Sequence, residues 1–290
     1  MLKNLLCSTE SPRIIAATSA TADSTLYVEQ RGVPSRYVLG PKHCPGLPPC
    51  RIRVENIDTL DCAMQLVARD GNPVGILNMA SAHLQGGGWL EGTTAQEEQL
   101  CYRTTLAQTL KITYYPLPCV YPLPGDTKAA AVDAGKGYGS TNEVGLIYSP
   151  RVAICRDGPP DYELYNLNER DPEIVSVFSV AALDLRGVEM DDRAATYPRD
   201  SHRKIMQDKI RLLLRVAARR KQRRLILGAL GCGVFKNPPQ QVATLFLDVF
   251  REEEFQGGWW REVVFAILSD AKQRDQNYEI FRDILHGQEV

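Results

Sequence analysis

The sequence predicts an α/β fold in three layers, with helices on both faces of a mixed central sheet. Three observations carry that prediction. Runs that are apolar throughout, such as Val74–Met79 and Val263–Leu268, read as strands buried on both faces. They alternate with segments that are apolar on one helical side, such as Met206, Ile210, Leu213, Leu214 and Ala217. From about Arg51 this alternation runs to the end of the chain with no internal repeat and no linker-like stretch. The expected organisation is a single domain over residues 51–290, with residues 1–50 as an N-terminal extension packed on the core.

Within the extension, Pro, Ser and Thr dominate, and a weak helical pattern covers Arg13–Glu29. Ile57, Leu60, Met64, Val67 and Ala68 then stripe a helix, with Asp58 placed to assist its start by capping or by its charge. Asp70-Gly71-Asn72-Pro73 stops it, and the Val74–Met79 strand follows. A glycine-rich loop leads into a helix expected from about Gln96 to Leu110. Residues 113–143 hold Pro, Gly and Tyr without periodicity and read as a long excursion. Strands return at Val144–Tyr148, Val152–Cys155 and Ile174–Ala181. A helix over Ser201–Arg220, a strand at Arg224–Gly228, and a helix striped by Val242, Leu245, Phe246, Val249 and Phe250 come next. The Val263–Leu268 strand and a short helix close the chain.

Composition narrows the function classes. Of 290 residues, 44% are apolar and 24% charged, the usage of a globular domain. The 34 Lys and Arg against 35 Asp and Glu leave a net charge of -1, which argues against a general nucleic-acid or membrane binder held by bulk charge, and neither a membrane nor a sequence-specific nucleic acid is expected as a partner. No apolar run has transmembrane length, and the first residues lack the apolar core of a secretory signal. The eight cysteines are scattered without a CxxC pair, which fits free thiols and an intracellular setting, cytoplasmic or nuclear. His43, Cys44 and Cys50 lie in a proline-rich loop with no second ligand pair at zinc spacing, so neither a metal nor a cofactor is expected.

Two loops follow strands at the sheet edge where open α/β folds bind ligands. Gly86-Gly87-Gly88 has the backbone freedom to turn successive amides toward an anion. An isolated glycine triplet is more often a plain turn. Here it precedes Gln96-Glu97-Glu98, a carboxyl pair in the first turn of a helix. Such a pair is favoured there by the helix dipole, and beside a ligand loop it can serve as general acid or base. The second loop carries Gly228, Gly231 and Gly233, then Asn237 as expected N-cap before Pro238 and Pro239. Neither loop has the spacing of a P-loop or of a dinucleotide fingerprint, yet together they suit a ligand with phosphates in its middle.

The triple glycine, the spacing of seven residues to QEE, and GCGVF over Gly231–Phe235 form a composite pattern. It resembles the signature of the microbial-type poly(ADP-ribose) glycohydrolases, over roughly Asn56 to Leu268. The resemblance implies a macrodomain fold, a macrodomain-like catalytic domain over 51–290, and hydrolysis of the ribose–ribose bond of poly(ADP-ribose). It implies Glu98 as catalytic acid/base, Glu97 as a hydrogen-bond partner of the ribose hydroxyls, and Asn78 as a holder of the distal ribose. It also implies ligand contacts from Gln96, from Gly86–Gly88, and from Gly231, Cys232, Gly233, Val234 and Phe235. The implied partners are ADP-ribose, poly(ADP-ribose) and ADP-ribosylated proteins, met by a monomer. Two other readings keep the same loops: an ADP-ribose reader without catalysis, and a hydrolase of mono-ADP-ribose linkages or ADP-ribose esters. A pure reader has no need of Glu98.

The sequence also departs from the pattern. Family members commonly carry Asn-Pro before the glycines, where this chain has Leu84-Gln85, and a looser loop is expected there. Cys232 is expected to pack under its loop and Trp259-Trp260 to pack in the core. Tyr102 and Arg103 are expected at or just behind the ligand. The cations between Arg215 and Arg224 read as a solvated helix end, with contact to a polyanion as the other reading.

Overall fold

The computed structural model describes residues 24–118, 143–166, 169, 171–188, 196–269 and 276–290. Its strands are β1 (Thr25–Gln30), β2 (Arg53–Glu55), β3 (Gly75–Met79), β4 (Glu143–Ala153), β5 (Ile174–Val180), β6 (Arg224–Leu227) and β7 (Glu262–Ala266). The helices are α1 (Thr59–Asp70), α2 (Gln96–Arg103), α3 (Leu106–Thr109), α4 (Asp200–Arg219), α5 (Pro239–Phe250) and α6 (Asn277–Leu285). The strands form one sheet in the order β1-β4-β5-β3-β6-β7-β2. β4 runs antiparallel to both of its neighbours, and every other pairing is parallel, so the sheet is mixed as the sequence predicts.

Uninterrupted apolar strands have two buried faces to fill, and here each face meets a helical layer. Leu77, Phe178, Leu225 and Phe265 pack with α4, α5 and α6 on one side. Ile76, Val177, Ile226 and Val264 pack with α1, α2 and α3 on the other. Trp259 and Trp260 are buried in the first of these cores, at the entrance to β7. Asp58 caps α1 by accepting from the amides of Leu60 and Asp61, and Gly71 ends the helix in the left-handed conformation.

Four local expectations give way to tertiary contacts. Of the helix expected over Arg13–Glu29, residues 13–23 lie outside the described residues. The remainder is strand, because the β-forming run Thr25–Val28 pairs with β4 at the sheet edge. The helix expected to reach Leu110 breaks at Thr104, which adopts extended backbone, returns its hydroxyl to Leu100 O at 2.6 Å, and bridges to Ile154. The strands expected at Val144–Tyr148 and Val152–Cys155 are one strand, β4, carried through a register shift between Ser149 and Val152 that accommodates Pro150. Asn237 is not the cap of α5. Pro238 and Pro239 remove donors that such a cap would serve, and the Asn237 amide is spent on the preceding loop instead. The 113–143 excursion is described only at its ends, and residues 119–142 lie outside the described residues.

Candidate active site

The carboxyl ends of β3, β6 and β7 open into a cleft of about 1000 Å3. Both glycine loops line it, together with Glu97, Glu98, Tyr115 and Phe235. The sheet edge that was expected to bind a ligand is therefore the edge that is hollow.

The first loop is pressed onto the carboxyl pair. Gly88 N–H donates to Glu98 Oε1 at 2.8 Å. Gly87 sits at φ +64, and a Cβ there would stand 2.3 Å from Glu98 Oε1 and 3.0 Å from Glu97 Oε2, so no other residue fits. Behind the loop, the Tyr102 hydroxyl donates to Trp89 O at 2.7 Å and to Thr93 O at 3.0 Å. Gln85 Nε2 donates to Ala107 O at 3.1 Å and also to Leu110 O. The loop is thus tethered to α3 by the residue that replaces the family's proline, contrary to the looser loop expected. Arg103 stays behind the site, buried, and joins α2 to α1 through Asp58 and Asp61, each at 2.7 Å.

The two carboxyl groups are adjacent in sequence but differently surrounded. Both Glu97 oxygens are occupied: Oε1 accepts from Asn78 Nδ2 at 3.2 Å, and Oε2 accepts from Ser81 N–H at 2.6 Å. Burial drives the Glu97 pKa up to about 8; these two bonds lower it, and the Glu98 charge raises it further. Below that pH Glu97 is a neutral acid with a proton to share. Glu98 has one oxygen on Gly88, and its other oxygen, Oε2, is buried without a partner. A buried oxygen left unpaired beside a cleft is costly unless a ligand completes it.

The remaining expected site residues divide into those on the cleft and those behind it. Asn78 is fully buried behind Glu97, its amide nitrogen shared between Glu97 and Ser179 Oγ at 3.0 Å and its Oδ1 unpaired. Gln96 lines the cleft while clamping α2 to β3, accepting from Met79 N–H at 2.9 Å and donating to Leu77 O at 2.7 Å. Gly231, Gly233, Val234 and Phe235 line the cleft. Cys232 is half-buried and packs against the core. Gly231 is at φ +76, where a Cβ would stand 2.5 Å from Ala182 Cβ. Asn237 Nδ2 donates to Leu183 O at 2.6 Å and Gly231 O at 3.2 Å, and Tyr197 donates to its Oδ1 at 3.2 Å. The amides of Gly233, Val234 and Phe235, three in succession, find no acceptor among the described residues. That is the donor set an anionic group needs.

Sequence reasoning did not single out Tyr115. It lines the cleft, its hydroxyl is buried without a partner, and burial followed by the charge of Glu97 raises its pKa. The only signal was its place in an aperiodic stretch. Among the described residues no group of three His, Cys, Asp or Glu side chains is gathered to hold a metal ion, and none of their helices is long and apolar enough to cross a membrane. Cys44 turns its thiol to Gly257 O at 3.1 Å.

These features define a class: an α/β protein whose cleft brings backbone amides without an acceptor among the described residues together with a buried carboxyl pair. A family model described as the microbial-type PARG catalytic domain matches residues 15–157. Over those residues the chain matches that family, and the solved structures it resembles are bacterial poly(ADP-ribose) glycohydrolases. The solved poly(ADP-ribose) glycohydrolase from Thermomonospora curvata is 28% identical, with 93% of this chain and 88% of that chain covered at a TM-score of 0.71. The same enzyme bound to the inhibitor ADP-HPD is 27% identical, covering 92% and 87% at 0.67. The enzyme from Deinococcus radiodurans in complex with ADP-ribose is 26% identical, covering 93% and 96% at 0.68. No curated protein matches the chain.

Proposed function

We propose that the protein binds ADP-ribose units in this cleft and hydrolyses the ribose–ribose O-glycosidic bond of poly(ADP-ribose), releasing ADP-ribose. The observation that carries the reading is Glu98 Oε2, buried at the cleft and left without a partner while Oε1 is fixed by Gly88. Glycoside cleavage passes through an oxocarbenium-like state, so the leaving oxygen must receive a proton. Glu98 Oε2 gives that proton as the glycosidic C–O bond breaks. The resulting carboxylate then takes a proton from water as the water oxygen bonds to the anomeric carbon. One water is consumed, and Glu98 returns to its starting state.

The other groups bind and orient. Glu97, held by Asn78 and Ser81, offers a proton to a ribose hydroxyl beside the scissile bond, and Asn78 acts on the distal ribose chiefly through Glu97. The open amides of Gly233, Val234 and Phe235 suit the diphosphate, and the Phe235 ring packs on the ligand. ADP-ribosylated proteins present the same unit and are accepted to the extent that the cleft admits them.

The test uses wild type and Glu98→Gln with poly(ADP-ribose) and with mono-ADP-ribosylated protein. The expected result is release of ADP-ribose from the polymer by wild type, and a kcat lower by about 10^2 to 10^4 in the variant, the range of a positioned proton-transfer group. ADP-ribose affinity stays within a few-fold. Full activity in folded Glu98→Gln overturns the role of Glu98, and tight ADP-ribose binding with no turnover by wild type overturns hydrolysis in favour of a reader.

A further inference from the structure

The basic run after Arg215 is not absorbed by the cleft. Along α4, cations are matched to carboxylates. Arg203 pairs with Asp248 at 3.0 Å, Lys204 with Asp200 at 2.6 Å, Arg211 with Glu252 at 2.6 Å, and Arg215 with Glu254 at 2.7 Å. The pattern ends with the helix. Arg219, Arg220, Lys221 and Arg223 have no carboxylate partner among the described residues, nor has Arg36 on the adjoining loop. At the next position, Arg224 is again neutralised, by Asp70 at 2.7 Å and Glu262 at 3.1 Å.

The four unmatched arginines rest on aromatic rings instead. Arg36 and Arg219 lie 4.9 and 5.8 Å from the ring centre of Tyr37. Arg220 lies 5.5 Å from Tyr27 and 5.0 Å from Tyr148, and Arg223 lies 5.5 Å from Trp259. Tyr27 and Tyr37 meet edge to face at 5.3 Å, which joins the first three arginines into one surface. Arg223 Nη1 is buried without an acceptor, and burial lowers the Arg223 pKa. A helix dipole explains why cations gather at this end. It does not explain why four of them, and Arg36 beside them, lack counter-charges when the cations paired along α4 have theirs.

Guanidinium planes held against aromatic rings, with surplus positive charge, suit a polyanion that also carries aromatic bases, because such planes stack on bases while their charge meets phosphate. The location bears on which polyanion. The patch lies at the amino end of β6, and the cleft opens at its carboxyl end, at least about 13 Å of strand away. A unit seated in the cleft lies at the opposite end of the strands, and the further units of a chain are the ones placed to meet the patch.

We propose that Arg36, Arg219, Arg220, Lys221 and Arg223 form a second binding surface, for the distal units of a poly(ADP-ribose) chain. This rests on the function proposed for the cleft and adds a preference for long polymer over single units. It also resolves an apparent conflict with a net charge of -1, since the charge is segregated rather than lacking.

The test measures binding in a Glu98→Gln background, so that the polymer survives. The variant Arg36→Gln/Arg219→Gln/Arg220→Gln/Lys221→Gln is compared with its parent for ADP-ribose, for the two-unit oligomer and for long polymer, across a salt series. The expected result is about tenfold weaker binding of long polymer, a salt slope shallower by about 3, and unchanged affinity for ADP-ribose and for the two-unit oligomer. Arg219→Lys/Arg220→Lys keeps the charge and the salt slope but loses the stacking share, which supplies a readout if the fourfold variant folds poorly. Unchanged binding of long polymer overturns the proposal, and so does equal weakening for ADP-ribose. Single-stranded RNA of equal charge that competes as well as the polymer overturns the assigned occupant. Failure of the cleft reading is seen separately, as wild type that neither binds ADP-ribose nor cleaves polymer.

Discussion

The two glycine loops reach the same cleft, but they are held in opposite ways. Gly86–Gly88 is pressed against side chains: Gly88 spends its amide on Glu98, and Gly87 leaves no room for a Cβ between itself and the carboxyl pair. The 231–235 loop is held by Asn237 and packs on Ala182, and three of its amides have no acceptor among the described residues. On the proposed function, the backbone of the first loop shapes the reacting group, and that of the second is itself the binding group. The first loop should therefore govern turnover and the second affinity, which separate measurements can break or sharpen.

The largest effect is expected from Gly87→Ala, whose methyl would displace the Glu98 carboxyl. We expect kcat to fall by about a hundredfold or more, as for a catalytic group displaced by about 1 Å. Gly233→Ala in the other loop meets nothing within 4 Å and should keep near-normal kcat and stability. Equal losses in the two variants would erase the distinction.

Next comes the pH dependence of stability. The folded protein holds the Glu97 proton to about pH 8, whereas an ordinary Glu releases it near 4.5. Between these values the native state binds more protons than the unfolded one, so stability falls as pH rises through that window and levels off above it. Melting temperatures across the window should show a decline that Glu97→Gln reduces and that changes in the 231–235 loop leave alone. Identical slopes in wild type and Glu97→Gln would contradict the burial of this carboxyl.

Asn237→Ala should act on affinity. Losing its bonds to Leu183 O and Gly231 O is expected to cost about 1–3 kcal/mol of stability in chemical denaturation. It should raise KM about tenfold while kcat changes less. A pure kcat defect would place this loop in the chemistry instead.

The smallest effect is expected from Tyr115→Phe. Its hydroxyl is buried without a partner, so removing it should leave the melting temperature equal or higher. If that hydroxyl bonds the ligand, ADP-ribose affinity should fall several-fold, the worth of one hydrogen bond of about 1 kcal/mol. Unchanged affinity by calorimetry would remove Tyr115 from the site.

Much of the site was legible because its signals are local. Glycines at 86–88 and 231, carboxyls at 97 and 98, and the apolar strands before them stand in the order that builds a ligand edge, and periodicity placed both helical layers. The misreadings came where a distant partner overrode a local preference. Thr25–Gln30 became strand because β4 offered an edge. Thr104 broke a helix because Ile154 paired with it. Tyr115 carried no pattern, and its relevance arises from the cleft it faces.

The amino-acid sequence by itself determined the alternation of strands and helices, the turns that only glycine can make, and the identity of the acid pair, since these depend on residue type and spacing. Tertiary structure alone decided which carboxyl keeps an open oxygen, which one burial drives up to about 8, and which arginines lack a counter-charge. Desolvation and charge pairing act through space between residues far apart in the chain, and neither composition nor periodicity records that distance.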